Sequence, residues 1–448
     1  MRNKFIENIR LRAKNFFDII THDSVRENLL QALPFWIASL ITGIVAVAYT
    51  KLFTYAEDVM RYILSIHKWY IFLLTPICFL LARLVVRWAP AARGSGIPQV
   101  MAAIEIPARY QEQNTKKLLS LKIIVVKILS SLLMVLGGGA IGREGPTIQV
   151  AGSIFRLVNR WIPASWPKLS QKSFILTGAA AGLAAAFNTP LGGIVFAIEE
   201  LARVHISFFR TALFSAVIIS GMAAQGFLGP YLYLGYPDVK SLSNITYIGV
   251  FVAAVIAGLL GAIMCKLILK LMAWKRTFNN TQSMAFILIA GLAVAAVAFF
   301  FNDHVLGSGK DLMVRSLFTQ DKYMPWHSVL LRVLGPVVSF NTGAAGGIFA
   351  PSLAAGASVG SFLSGLFGVI GANANILILS GMVGFLTGVT RTPFTSAILV
   401  LEMTDRHSVI FHLMLAAMVA NIAALVIDKH SLYEQLKKQY LEETSTHS

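Results

Sequence analysis

The sequence predicts an all-α polytopic membrane protein, built as two inverted homologous repeats of tilted and interrupted helices around a site at the membrane midplane. Three observations predict this class. The chain is apolar along most of its length. It repeats itself. It also carries an ionisable, glycine- and proline-broken motif, Gly142-Arg143-Glu144-Gly145-Pro146, inside an apolar stretch. An ionisable residue at bilayer depth costs several kcal/mol, about 3 on insertion scales, so such residues are kept where they line a polar pathway. Broken helix at that depth is tolerated where it lines a cavity or is buried in protein. The pentapeptide therefore reads as a helix end facing something hydrophilic within the bilayer.

Of 448 residues, 56% are hydrophobic and 13% charged, against about 25% charged in soluble domains. Leu29–Thr50, Ile245–Cys265 and Met284–Phe301 carry no charge, and about 20 apolar residues cross a bilayer. The uncharged run Val333–Thr390 is far longer than one span and is punctuated by glycine, which fits several short helices better than one straight one. The order expected is a polar cytoplasmic segment (1–28), a first membrane repeat (29–240), a second (241–428) and a short cytoplasmic tail (429–448). No signal-peptide core stands in the first 28 residues. Arg2, Lys4, Arg10, Arg12 and Lys14 at one end, and Lys429, Lys437 and Lys438 at the other, place both termini in the cytoplasm by the positive-inside rule. The net charge of +17 thus reads as topology, and no nucleic-acid partner is expected. Cys78 and Cys265 lie in apolar stretches and read as packing residues. No histidine pattern suits a metal, His407 and His412 being poorly spaced for one helix face, and no cofactor is expected.

The repeat is visible residue by residue. Residues 177–200 and 380–403 both open with a small hydroxyl residue and Gly, both carry Thr-Pro (Thr189-Pro190 and Thr392-Pro393), and both place a glutamate after it, Glu199 and Glu402. Upstream, Gly142–Pro146 matches Gly347–Pro351, and Gly94-Ser95-Gly96 matches Gly307-Ser308-Gly309. The last match alone is weak; three in the same order are not chance. The boundary falls near Pro237–Ser243. Two halves with interrupted helices meeting at a mid-membrane site are the pattern of transporters. The repeat also isolates an asymmetry. Glu199 has its counterpart in Glu402, which suggests a structural pair at helix ends or an interface. Glu200 aligns with Met403, which makes it a functional candidate, the plainer alternative being a solvated carboxylate at a helix end.

Four points recur ahead of helices: Gly94–Pro98, Gly142–Pro146, Gly346–Pro351 and the Tyr433 segment after the last span. Helix N-termini carry about half a positive charge and bind anions through free N–H groups. Several of them converging would make an anion site without a fixed cation, which suits permeation because the ion must also leave. Ser95 would add a hydroxyl, or serve only as a helix cap. A carboxylate mimics an anion, so Glu144 can occupy such a site when ionised and leave it when protonated, coupling anion movement to protons. Arg143 reads as a loop-holding residue.

These residues carry a resemblance. Gly94-Ser95-Gly96-Ile97-Pro98, Gly142-Arg143-Glu144-Gly145-Pro146 and Gly346-Gly347-Ile348-Phe349-Ala350-Pro351 resemble the three signature motifs of the CLC chloride channel and transporter family, and the Leu432-Tyr433 segment fits as well. The likeness runs from about Leu29 to Leu436. It implies a homodimer in membrane lipid with one pore per subunit, and a central chloride held by Ser95, Tyr433 and the N–H groups of Ile348 and Phe349. It implies an outer anion site at Gly145 and Ala350, Glu144 as the external gating and proton-transfer glutamate, and Glu200 as the internal one that family exchangers use. Serine at position 95 resembles chloride-selective members rather than nitrate-preferring ones, and the intact motifs differ from those of the fluoride branch. Gln99, where many members have Glu, and Thr342-Gly343-Ala344-Ala345 depart from the pattern. The compact chain, without the paired cytoplasmic regulatory domains of eukaryotic members, resembles prokaryotic ones and implies a bacterial inner membrane.

The expected function is secondary active antiport of chloride against protons, without enzymatic chemistry. A passive chloride channel is the alternative within the family, with Glu200 the discriminating residue. An intramembrane serine protease using Ser95 would need a histidine base, and no histidine lies deep in an apolar run.

Overall fold

The computed structural model describes residues 23–107, 111–163, 166, 170–201, 210–229, 232–239 and 244–445. Most of the N-terminal segment assigned to 1–28, including Arg2, Lys4, Arg10, Arg12 and Lys14, lies outside the described residues, as does 240–243 at the expected repeat boundary. Among the described residues the chain is helical without strands. The first half runs α1 (Asp23–Ile66), α2 (Ile71–Val86), α3 (Ile97–Glu105), α4 (Gln111–Leu118), α5 (Leu121–Leu136), α6 (Glu144–Trp161), α7 (Gln171–Phe187), α8 (Pro190–Phe196) with a π-helical turn over Ala197–Leu201, and α9 (Arg210–Leu228). The second runs α10 (Asn244–Lys275), α11 (Asn280–Phe300), α12 (Lys310–Phe318), α13 (Trp326–Asn341), α14 (Phe349–Leu366), α15 (Ala372–Thr390), α16 (Pro393–Thr404) and α17 (Ile410–Ile427). Helix α18 (Leu432–Ser445) follows. Nine helices among the described residues are long and apolar enough to cross a membrane, and the chain is a multi-pass membrane protein.

The two halves repeat most of their elements, although among the described residues α4 has no counterpart in the second. Helices α3 and α12 are each 9 residues long, α5 and α13 each 16, and α6 and α14 each 18. The breaks between helices repeat as well. Gly94 and Gly307 have φ of +63° and +65°, Gly96 and Gly309 +106° and +85°, and Gly138 and Gly343 +77° and +78°. In these loops the chain needs the left-handed region, which glycine enters freely. At the ends of α7 and α15 the same left-handed turn is made by Asn188 (φ +58°) and Arg391 (φ +62°). Thr-Pro then restarts the chain as α8 and α16, with proline in the first turn, where its missing N–H costs nothing.

Small residues set the depth of packing. Helix α14 is 83% buried and α15 89%, against 28% for α11, so the first two are enclosed by protein and the last lies on the outside of the helix assembly. Helices α14 and α15 cross where Gly356 and Gly360 meet the backbone of Gly381 and Leu377; a Cβ at any of these glycines would collide with a facing carbonyl. This is the close backbone approach that membrane helices use in place of a hydrophobic driving force.

The reading of Glu199 and Glu402 as a matched structural pair holds in detail. Glu199 accepts from the N–H of Phe394 (3.1 Å) and of Thr395 (2.7 Å), the first free donors of α16. Glu402 accepts from the N–H of Leu191 (3.0 Å) and of Gly192 (2.7 Å), the same positions of α8. Each repeat's glutamate caps the other repeat's helix, satisfying orphan donors. Glu199→Ala and Glu402→Ala are each expected to cost about 1–3 kcal/mol, the penalty of a lost charge-assisted hydrogen bond. Melting curves in detergent check this, and both variants melting with the wild type would refute the reciprocal caps.

Candidate functional site

The site begins with a pair of hydrogen bonds between the two repeats. Gly142 N–H donates to Gly347 O (2.7 Å) and Gly347 N–H to Gly142 O (2.8 Å). This bridge sets the start of α6 beside the start of α14. A second bridge joins the first motif: Gly94 N–H donates to Ala344 O (2.9 Å) and Gly346 N–H to Gly94 O (3.0 Å). The three glycine clusters, far apart in sequence, therefore share one place. They touch closely enough that a Cβ at Gly145 would strike Ser95 Oγ, and one at Gly96 would lie 2.7 Å from Gly145 O.

Two buried cations hold these loops. Lys127 on α5 donates to Ala92 O (2.9 Å) and Gly94 O (2.7 Å). Arg332 on α13 donates to Leu306 O (3.0 Å) and Gly307 O (3.1 Å). Gly94 and Gly307 are repeat counterparts, so the cations are too. Lys127 is the one charge between Ile123 and Gly142, and its match with Arg332 is apparent only in the fold.

Of the four expected anion ligands, Ser95 and Tyr433 are almost fully buried, at 1% and 0% exposure, and neither hydroxyl finds a hydrogen-bond partner of good geometry. The two hydroxyls lie near each other. The Tyr433 ring stacks on Phe349 (6.1 Å, 9°), and Phe349 meets Phe187 and Phe196. Ile348 and Phe349 form the N-cap and first residue of α14, so their N–H groups have no intrahelical acceptor. Two orphaned hydroxyls walled by aromatic rings are costly to bury unless something accepts from them. An anion does so.

Glu144 is the first residue of α6 and 1% exposed. Its carboxylate lies close to the backbone N–H groups of Ala350 on α14 and of Glu144 itself. Oε1 lies 3.5 Å from the Tyr233 hydroxyl, and Oε2 has no partner. Gly142 makes room for it, since a Cβ there would collide with Oε2. The carboxylate thus sits on the N-terminus of the opposite repeat's helix, at the Ala350 end of the third motif. Arg143, at the N-cap of α6, lies over the Tyr233 ring (5.9 Å).

Glu200 lies apart from this cluster, half-buried on the π-helical turn that follows α8. The counterpart stretch of α16 is regular helix through Met403, so the asymmetry in sequence is also one of backbone, of a kind common at functional sites. Tyr433 is within electrostatic reach of both Glu144 and Glu200. Tyr233 carried no signal in the sequence, being a single tyrosine in a loop between spans.

The two departures from the motif pattern have local explanations. Gln99 donates its amide to Ala91 O (3.0 Å), Arg93 O (2.6 Å) and the Tyr440 hydroxyl (3.0 Å), which an ionised glutamate could not do. With the Lys437–Glu105 ion pair (2.7 Å), it ties α18, and so Tyr433, to α3. Thr342 caps the third-motif loop, accepting from Ala344 N–H (3.3 Å) and donating to Ser339 O (2.7 Å). Among the described residues no histidine hydrogen-bonds the Ser95 hydroxyl; His304 pairs with Ser328 and His412 stacks on Tyr247. Cys78 and Cys265 are buried free thiols, and among the described residues no group of His, Cys, Asp and Glu could hold a metal ion.

Residues 77–425 match the family model described as voltage gated chloride channel. The chain is 28% identical over 427 residues to the H(+)/Cl(-) exchange transporter ClcA of Citrobacter koseri, covering 89% of this chain and 86% of that one. The ClcA protein of Salmonella arizonae gives the same identity and coverage. In fold it is similar to a slow cyanobacterial Cl-/H+ antiporter (TM-score 0.79, 22% identity, 92% of this chain and 98% of that chain). It is also similar to a CLC-type fluoride/proton antiporter (TM-score 0.75, 20% identity, 92% and 98%). With the family model spanning most of the chain and the motif loops joined as described, this protein belongs to the voltage gated chloride channel family.

Proposed function

We propose that this chain is a secondary active antiporter that moves chloride in exchange for protons. The observation that carries the reading is the seat of Glu144: a buried carboxylate near the Ala350 N–H at the start of α14, in the same buried cluster as the unpartnered hydroxyls of Ser95 and Tyr433. The central chloride is held by Ser95, Tyr433 and the N–H groups of Ile348 and Phe349. An outer anion site uses the N–H groups of Gly145 and Ala350, and the Glu144 carboxylate occupies it when no chloride does. Protonation neutralises Glu144 and removes its reason to stay on a positive helix end, so a proton and an anion exchange places. Glu200 passes the proton to the inner side. Channel function within the family would not call for a second carboxylate on a dedicated π turn, and the relatives named as exchangers support antiport.

The assembly we propose is a homodimer in the lipid of a bacterial inner membrane, each subunit with its own pore and both termini cytoplasmic. The domain division at residues 28, 240 and 428 belongs to the same proposal. Exposed apolar side chains on α8, α9, α16 and α17, among them Leu191, Met222, Phe394 and Ile422, offer a face for the second copy.

Three substitutions in proteoliposomes test the reading, with chloride and proton electrodes recording together. Glu144→Gln fixes the neutral form: chloride flux should persist and lose its pH dependence, and proton movement should stop. In the wild type, flux should rise as pH falls, because protonation vacates the seat. Coupled, pH-sensitive transport surviving in Glu144→Gln would overturn the gate. Glu200→Gln should cut proton movement while chloride still passes; unchanged coupling would remove Glu200 from the proton path. Gly145→Ala brings a methyl group against Ser95 Oγ and should weaken chloride binding by roughly tenfold, about 1.4 kcal/mol. Unaltered affinity by calorimetry would place the anion elsewhere.

A further inference from the structure

Tyr233 stands on the described segment 232–239 and is 3% exposed. Its neighbour Leu234 is pinned to the second repeat by an N–H donated to Met403 O (3.1 Å). The ring packs edge-on against Phe187 (5.1 Å, 82°). Two cations lie over it, Arg143 at 5.9 Å and Lys310 at 4.7 Å from the centroid. Its hydroxyl meets Glu144 Oε1 at 3.5 Å. Cations against an aromatic face are attracted by the ring and withdraw electron density from the phenol oxygen, which makes the O–H a better donor. A tyrosine held on three sides with its hydroxyl on a carboxylate is built to restrain that carboxylate.

Lys310 connects this clasp to the outside. It opens α12, at the repeat position that Ile97 holds in α3. It lines a cavity of about 620 Å³ together with Glu57, Ser308 and Arg332. The clasp therefore lies between an open cavity and the buried carboxylate.

We propose that Tyr233 is a positioning residue for Glu144: its hydroxyl holds the carboxylate on the α14 N-terminus and sets how readily an incoming anion displaces it. This rests on the reading of Glu144 as the gate. Tyr233 belongs to neither repeated motif and has no counterpart in the anion seat, so it acts on the competition between carboxylate and anion rather than on the anion itself. The other charged or titratable groups that bear on Glu144 are Arg143 on its own helix, Tyr49 and Glu57 on α1, Lys310 on α12 and Tyr433 on α18.

The test is Tyr233→Phe, which keeps the ring, its packing and both cations and removes only the donor. Losing the donor weakens the seated carboxylate, so chloride should bind about fivefold more tightly by calorimetry, the worth of roughly one hydrogen bond. The pH of half-maximal chloride flux should move upward, because the ionised, seated form has lost a partner. Replacing Tyr233 by 3,5-difluorotyrosine, a stronger donor of nearly the same shape, should weaken chloride binding instead, and it tests the idea even if the Phe variant folds poorly. Glu144→Ala is measured alone and combined with Tyr233→Phe. If Glu144→Ala remains coupled and pH-dependent, the gate reading itself fails. If Glu144→Ala is uncoupled but Tyr233→Phe matches the wild type in affinity and pH profile, the gate stands and Tyr233 has no part in it. If Tyr233→Phe tightens chloride binding equally in the Glu144→Ala background, Tyr233 acts on the anion directly and the positioning role is overturned.

Discussion

Everything at the centre of this molecule depends on two backbone hydrogen bonds, Gly142 N–H to Gly347 O and the reverse. They are equivalent under the repeat, so they mark where the pseudo-twofold axis passes through the chain. They also force an electrostatic problem. Each is followed at once by a helix, α6 and α14, whose N-terminus carries about half a positive charge. Two such ends held together inside a membrane repel unless something negative lies between them. The chain supplies that charge itself through Glu144, and the proposed function amounts to letting a dissolved anion take its turn.

The symmetry shows where structure ends and function begins. Features kept in both halves are structural: the left-handed glycines, the cations on Gly94 O and Gly307 O, and the crossed caps of Glu199 and Glu402. Features kept in one half are those the proposed function uses. Glu144 faces Phe349 in the repeat, and Glu200 faces Met403. The two serines differ most plainly. Ser308 gives its N–H (3.1 Å) and hydroxyl (2.8 Å) to Glu57, so its loop is already satisfied by a carboxylate of the chain. Ser95 in the matching loop has an unpartnered hydroxyl. One loop is closed by the protein and the other is left open.

Much of this was legible in the sequence, for physical reasons. Helix breaks inside an apolar run demand glycine and proline, so the loops announce themselves, and a repeated Thr-Pro with a glutamate after it shows which carboxylates pair. The split of a long uncharged run into α14 and α15 follows from its glycines. What was hidden depends on distance in the fold. The match of Lys127 with Arg332 lies in shared targets, two loop carbonyls each, and different side chains disguise it. The π turn under Glu200 is a matter of one hydrogen-bond register, which composition does not encode. Tyr233 reaches Glu144 only because Leu234 is tied to Met403 in the other repeat, a contact between residues far apart in the chain.

The buried cations close the argument about why no fixed charge need bind the anion. Lys127 and Arg332 are 0% and 3% exposed, and both spend their donors on carbonyl oxygens of the loops that precede α3 and α12. Left without donors, such buried carbonyls would be costly. Bound by these side chains, the carbonyls are satisfied and the loops are tied to α5 and α13. The positive charge is thereby converted into loop geometry and a weak, spread potential. A lysine placed in the proposed seat would grip an anion tightly, whereas helix ends and two hydroxyls would hold it loosely enough for a single carboxylate, gaining or losing one proton, to compete for the site.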